Sequence, residues 1–355
     1  MKSSICRTAI CFAAALCVAV STFAAAAGSA GVDSLVEVAT SERQWTGIAV
    51  SQTGRIFVNF PRWSPDVPVS VGELMDDGTV VPYPDEEWNS WSPGDDPGGK
   101  FVCVQSVHID DGDRLWILDP ASPMLRGVIP GGPKLVQVDP AENRIVRTFH
   151  FDSTIAPRAS YLNDVRIDVE TNTAFITESG LGALVVVDLA HGAARRLLAD
   201  HPSTKAEDIE VVIGGRPFPG TVHADGIALD AAGGWLYFQA LTSRTLYRVP
   251  TAALRDGTLG TDELAGKVER FAVSGVSDGL LFTPGGIYVS ALEEGGIRIV
   301  ESDGTVRTVV KDPRIIWPDS FARGPGGCVY FTTAQIHLGP DPPTPYRILA
   351  FRTGR

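Results

Sequence analysis

Six times along the chain a polar residue, usually Asp or Asn, is followed by a short apolar run, a tight turn and a second apolar run. The clearest copies are NDVRID (163–168) before TAFIT (173–177), DGIALD (225–230) before WLYFQA (235–240), DGLLFT (278–283) before IYVS (287–290), and DSFAR (319–323) before CVYFT (328–332). Two weaker copies start at Thr46 and Gln105. Around 223–249 the unit extends to a third strand, which makes it a β-meander. A sheet of three or four short strands cannot bury both faces alone, so repetition at this period predicts radial stacking. Starting from Thr46, Gln105, Asn163, Asp225, Asp278 and Asp319, the copies lie 59, 58, 62, 53 and 41 residues apart, room for four strands each plus loops. The expected fold is all-β, a six-bladed β-propeller. Residues 34–40 alternate apolar and polar, whereas the sixth copy ends after its third strand at 346–351. Pairing those two strands closes the ring and removes its open edges.

The first residues differ in kind. Lys2 and Arg7 precede an apolar run at 8–20, and the small-residue stretch at 24–28 offers an Ala-x-Ala cleavage site. This predicts a secretory signal peptide over 1–27, a single propeller domain over 28–355, and a secreted or periplasmic location. The apolar run is too short for a membrane anchor, and no membrane contact is expected after cleavage. Cleavage leaves 28 of the 30 basic residues against all 42 acidic ones, a net charge of −14, which argues against nucleic acid as a partner. Cys103 and Cys328 remain, at opposite ends of strands in non-adjacent blades, and are expected to be separate buried thiols.

Connections on one side of the repeats are tight, with 250–266 as the exception. Long excursions at 62–68, 84–100, 119–133, 199–222 and 335–345 gather on the other side, where the polar signature residues open the innermost strands. A small-molecule site at that channel mouth follows. Asn163, Asp164, Asp225, Asp278 and Asp319 converge there, and crowded carboxylates must share protons, bind a cation or be spread by water. Oxygen-only donors favour Ca²⁺, ahead of Mg²⁺, on Asn163, Asp225 and Asp278. The alternative is that these residues cap turns. His223 adjoins the ring and, with Asp225, is the candidate acid/base. Tyr161, Trp317, Asp164 and Asp319 are candidate substrate contacts. His108, inside a first strand, is read as structural. No Gly-x-Ser-x-Gly, P-loop, His-Glu-x-x-His or Cys-x-x-Cys pattern occurs, which leaves serine-hydrolase, nucleotide and zinc chemistry without support.

GRIFVNFPRW (54–63), PYPDEEWN (82–89), RLWILD (114–119), DGIAL (225–229), LYRVPT (246–251) and WPD (317–319) together resemble the yellow/major royal jelly protein family. That resemblance implies a secreted propeller, associated in some members with dopachrome conversion and in others with binding of biogenic amines. A more distant similarity is to the senescence-marker/gluconolactonase propellers. It places Asn163 and Asp278 at two of their metal-ligand positions, with Asp225 for a second Asn, Thr46 for a Glu and Tyr161 for an Arg. Three functions are therefore expected to compete: a dopachrome-tautomerase-like isomerase, a metal-dependent sugar-lactone hydrolase, and a non-enzymatic binder of small aromatic ligands.

Overall fold

The computed structural model describes residues 32–353. The segment expected as a signal peptide lies outside them. Six four-stranded antiparallel sheets are arranged as the blades of a propeller. Their innermost strands are Ile48–Val50, Ser106–Ile109, Leu162–Asp168, Ala224–Asp230, Leu280–Thr283 and Pro318–Arg323. The sixth blade takes its outermost strand from the other end of the chain: Val32–Ser41 pairs antiparallel with Tyr346–Thr353, placing Leu35 opposite Phe351 and Thr40 opposite Arg347. The expected closure is present, one or two residues longer than the alternation suggested.

Stacking blade against blade explains the strand compositions. In the third blade, Thr173–Glu178 is buried throughout and Ala183–Asp188 is buried except at its last residue, so neither strand shows a polar face. The second blade's outer strand, Arg144–His150, is mostly exposed and buries only Phe149. Each blade boundary holds its own apolar cluster. Between blades two and three it is Trp116, Leu118 and Phe149 against Val165 and Ile176, and between five and six it is Tyr288 and Ile299 against Phe331 and Phe351. Between the last blade and the first, Tyr346 and Ile348 pack with Trp45, Ile48 and Val58. Each large side chain so buried contributes roughly 1.5–3 kcal/mol, so the ring is held by six comparable seams.

The 250–266 connection is long, as expected, and one expectation, that both cysteines are buried, needs correction. The 250–266 connection folds into short helices Thr251–Arg255 and Thr261–Ala265, the second opened by Glu263 accepting from the Gly260 N–H. Five-residue helices carry too little periodicity to be read from sequence. Cys103 and Cys328 are both free thiols, but only Cys103 is buried; Cys328 is partly exposed, and Arg352 Nε donates to its sulfur at 3.4 Å. The position opens the strand Cys328–Thr333, directly after the turn.

Candidate functional site

The site is built on an irregularity shared by three inner strands. Their pairing with the second strand slips between Leu162 and Val165, between Ala224 and Ile227, and between Pro318 and Phe321. These bulges fall on Asn163-Asp164, Asp225-Gly226 and Asp319-Ser320, and a bulge re-aims side chains that strict alternation would send to opposite faces. The glycine after the acid has a steric cause. A Cβ on Gly226 would lie 2.2 Å from the Asp278 carbonyl oxygen, and one on Gly279 would lie 1.7 Å from that of Asp319. Inner strands approach so closely here that only glycine fits.

A directional chain of hydrogen bonds runs across the ring. Trp63 Nε1 donates to the Tyr161 hydroxyl at 2.8 Å, which donates to Gln105 Oε1 at 2.8 Å. Gln105 Nε2 reaches Asn163 Oδ1 at 3.4 Å, and Asn163 Nδ2 donates to Asp225 Oδ2 at 2.8 Å. Asp225 is hydrogen-bonded in turn to Asp278, whose Oδ2 accepts from Trp317 Nε1 at 2.6 Å. Trp317 holds a left-handed backbone, φ 56°, which costs a bulky residue on the order of 1–2 kcal/mol. That geometry lets its ring stack on His337 while the N–H meets Asp278.

Burial raises the proton affinity of every carboxyl in the ring. Asp278 is pushed up to about 6, burial outweighing the Trp317 N–H. Asp225 and Asp319 lie well above the carboxylate range, through burial first and the Asp278 charge second. At neutral pH, Asp278 is therefore the ionised member and Asp225 holds the proton between them.

Above the ring opens a cavity of about 700 Å³ walled by Trp63, Tyr161, Phe218, Leu241, Trp317 and Ile336, with Asn163, Asp225, Asp278 and Asp319 at its floor. Buried ionic bonds brace the walls. Asp119 accepts from the Val102, Cys103 and Ala121 N–H groups and pairs with Lys134, both side chains fully buried. Glu178 accepts from the N–H groups of Tyr161, Gly180 and Leu181 and pairs with Arg196. On the rim, the Arg158 carbonyl accepts from Val128 N–H, setting Arg126 and Arg158 on adjoining loops. Both arginines line the cavity, and neither guanidinium has a partner among the described residues.

Tyr161, Asn163, Asp225, Asp278, Trp317 and Asp319 are thus brought together. His223 and Asp164 are not part of the cavity wall. His223 is partly buried beside it, and its Nδ1 accepts from the Ala206 N–H at 2.9 Å; burial lowers its pKa, so the ring is neutral. Asp164 lies deeper in the channel, 3.9 Å from Arg166. Trp45 is buried at the seam between blades six and one, donating to the Arg347 carbonyl. Gln105, Trp63, Phe218 and the two rim arginines were missed by sequence reasoning. Gln105 alone had a signal, since it occupies the second ring position.

The donor set facing the ring is all oxygen, the kind a hard cation takes. As they stand, the side chains are arranged around protons and N–H donors: Asn163 turns its amide nitrogen to Asp225, and Trp317 fills Asp278 Oδ2. Thr46, fully buried, spends its hydroxyl on the Gln105 carbonyl. Among the described residues no three His, Cys, Asp or Glu side chains are grouped as a metal site.

A family model for major royal jelly proteins matches residues 102–319. Major royal jelly protein 6 of Apis mellifera is 29% identical over 180 residues, 48% of this chain and 39% of that one. Dopaminechrome tautomerase of Drosophila melanogaster is 26% identical over 124 residues, 32% of this chain and 26% of that one. The matched segments thus span under two fifths of these relatives. Among solved structures, a Xanthomonas campestris gluconolactonase superposes with TM-score 0.56 at 14% identity, covering 92% of this chain and 91% of its own. A luciferin-regenerating enzyme gives 0.57 at 11% identity, covering 90% and 95%. At such identities these two show the fold alone.

Proposed function

Because the chain belongs to the major royal jelly protein family, we propose that it is a secreted or periplasmic dopachrome-tautomerase-like isomerase that takes a small aromatic substrate into the cavity over its inner ring. The observation that carries this reading is the Asp225–Asp278 pair, two hydrogen-bonded carboxyls holding one proton at the floor of an aromatic-walled cavity.

Each tautomeric step breaks one C–H bond and forms one O–H bond with no net redox change, and an aminochrome takes two such steps to reach the dihydroxyindole. Each step needs a base and an acid near the same ring, each matched to neutral pH. Asp278, titrating near 6, takes the carbon-bound proton. Asp225 gives its own proton to the substrate oxygen. The proton then on Asp278 returns to Asp225 along their hydrogen bond, which restores the pair. Asn163 and Trp317 hold the two carboxyls in place from either side. Tyr161 and Trp317 contribute aromatic wall, and Asp319 a second protonated carboxyl at the floor. His223, with Nδ1 committed to Ala206, supports the 205–206 turn in this reading rather than moving the proton.

Assaying the protein with dopachrome and dopaminechrome tests the proposal. Asp278→Asn and Asp225→Asn should each lower kcat by roughly 10²–10⁴, the usual contribution of general acid–base groups. Wild-type turnover in both variants sinks it. Absence of turnover with micromolar binding of aromatic ligands leaves a carrier. The all-oxygen donor set favours one second reading, in which Ca²⁺, or less readily Mg²⁺, on Asn163, Asp225 and Asp278 displaces the shared proton and equips a sugar-lactone hydrolase. It requires a melting temperature that falls with chelator and recovers with Ca²⁺, by about 2.7 kcal/mol at a hundredfold excess over Kd. Asp278→Asn should abolish that response.

A further inference from the structure

The channel has a second mouth, on the side of the tight turns. There a cavity of about 480 Å³ is lined by His108, Arg166 and Arg323, along with Asp110, Asp111 and Asp230. We propose that this mouth is an anion-binding site for a compact oxyanion, held by Arg166, His108 and Arg323 and separate from the aromatic cavity on the opposite face.

Arg166 is 8% exposed and retains its charge when buried, because a guanidinium does not deprotonate in a protein. Nη1 donates to the Val165 carbonyl at 2.7 Å and Nη2 to that of Leu280 at 2.9 Å, two of its five N–H donors. Its nearest carboxylate, Asp164, is 3.9 Å away, beyond hydrogen-bond reach. A buried cation with so little compensation is costly unless a further negative group reaches it.

His108 makes no hydrogen bond through its ring among the described residues, and its pKa is held well below the usual value by burial and then by the charges of Arg166 and Arg323. An arriving anion reverses those two charge effects. The carboxylates at the same mouth are already engaged. Asp110 accepts from the N–H groups of Gly112 and Arg114 and from Trp116 Nε1. Asp230 caps the Gly233 N–H, and Asp111 lies 3.4 Å from Arg323. Arg166 keeps N–H donors beyond the two it spends on carbonyls, and Arg323 meets Asp111 only through a long, exposed contact of 3.4 Å that an anion can displace, which favours an anion over a cation.

The test is calorimetric titration of inorganic phosphate into the protein at low ionic strength, with sulfate and acetate as further arms. One site per chain is expected, with Kd of about 1 mM or tighter. Arg166→Met and Arg323→Gln should each weaken it about tenfold or more, a loss of about 1.4 kcal/mol. If Arg166→Met does not fold, His108→Gln and Arg323→Gln carry the test. Arg126→Gln and Arg158→Gln, at the other mouth, should leave phosphate binding unchanged. No heat of binding at about 10 mM phosphate overturns the proposal. So does binding that survives the Arg166, His108 and Arg323 variants, or that is lost only in the rim variants.

Discussion

A carboxyl that titrates near 6 in the folded chain, against roughly 4 when unfolded, ties stability to pH in the direction opposite to an ion-paired surface acid. Between those values the native state holds the extra proton, so the stabilisation is full below the unfolded pKa and lost as pH rises through 6. Asp225 and Asp319, raised further by burial, extend the decline to higher pH. In the presence of chelator, the melting temperature should therefore fall from pH 5 to pH 8, and Asp319→Asn should flatten the slope. A midpoint that climbs over that range contradicts the protonated ring. Trp317→Phe removes the N–H from Asp278 Oδ2, so Asp278 should become more basic and the acid limb of the kcat–pH profile should move upward. The hydrogen bond contributes about 1–3 kcal/mol. An unmoved limb would mean that Asp278 is not the base. At the rim, Arg126→Gln and Arg158→Gln should raise KM for a carboxylate-bearing substrate such as dopachrome and leave dopaminechrome little affected. Equal effects on both substrates would deny the arginines any part in orienting the carboxylate.

At the level of elements, the inner strands carry the information that matters most, because each follows or carries a ring residue and contacts the neighbouring blades, and three of them add a bulge. Gly279→Ala drives a Cβ against the Asp319 carbonyl at 1.7 Å, which neither backbone can relieve without breaking the ring. A loss of about 4 kcal/mol or more, or failure to fold, is expected in thermal unfolding. Gly99→Ala, where nothing lies within 4 Å, should stay within about 0.5 kcal/mol. If the two variants melt alike, the close approach of inner strands is not what demands glycine. The Asp-Gly signature was legible in the sequence as a repeat; its cause was not, since the clashing carbonyl lies 52 residues on from Gly226 and 40 on from Gly279.

On the scale of the whole molecule, stability depends on closing the ring, because an unclosed sixth blade leaves Tyr346–Thr353 as a free edge. A chain beginning after Ser41 should lose cooperative unfolding or associate through that edge, as read by calorimetry and size-exclusion chromatography. A monomer with an unchanged transition would show that the last seam contributes little. The repeat period, the alternation at 34–40 and the missing fourth strand after 351 were enough to determine blade number and closure. These are consequences of local patterning repeated along one chain. They also determined that Asn163, Asp225, Asp278 and Asp319 share one end of the inner strands. Only the tertiary structure decided how those groups are used. Three bulges, the left-handed turn at Trp317 and the approach of loops around 63, 126, 158 and 218 set which side chains meet. The same packing turned His223 onto Ala206 and sank Asp164 toward Arg166. Such contacts join residues tens to hundreds of positions apart, and their energies arise from burial and neighbouring charge, quantities that no stretch of sequence carries by itself.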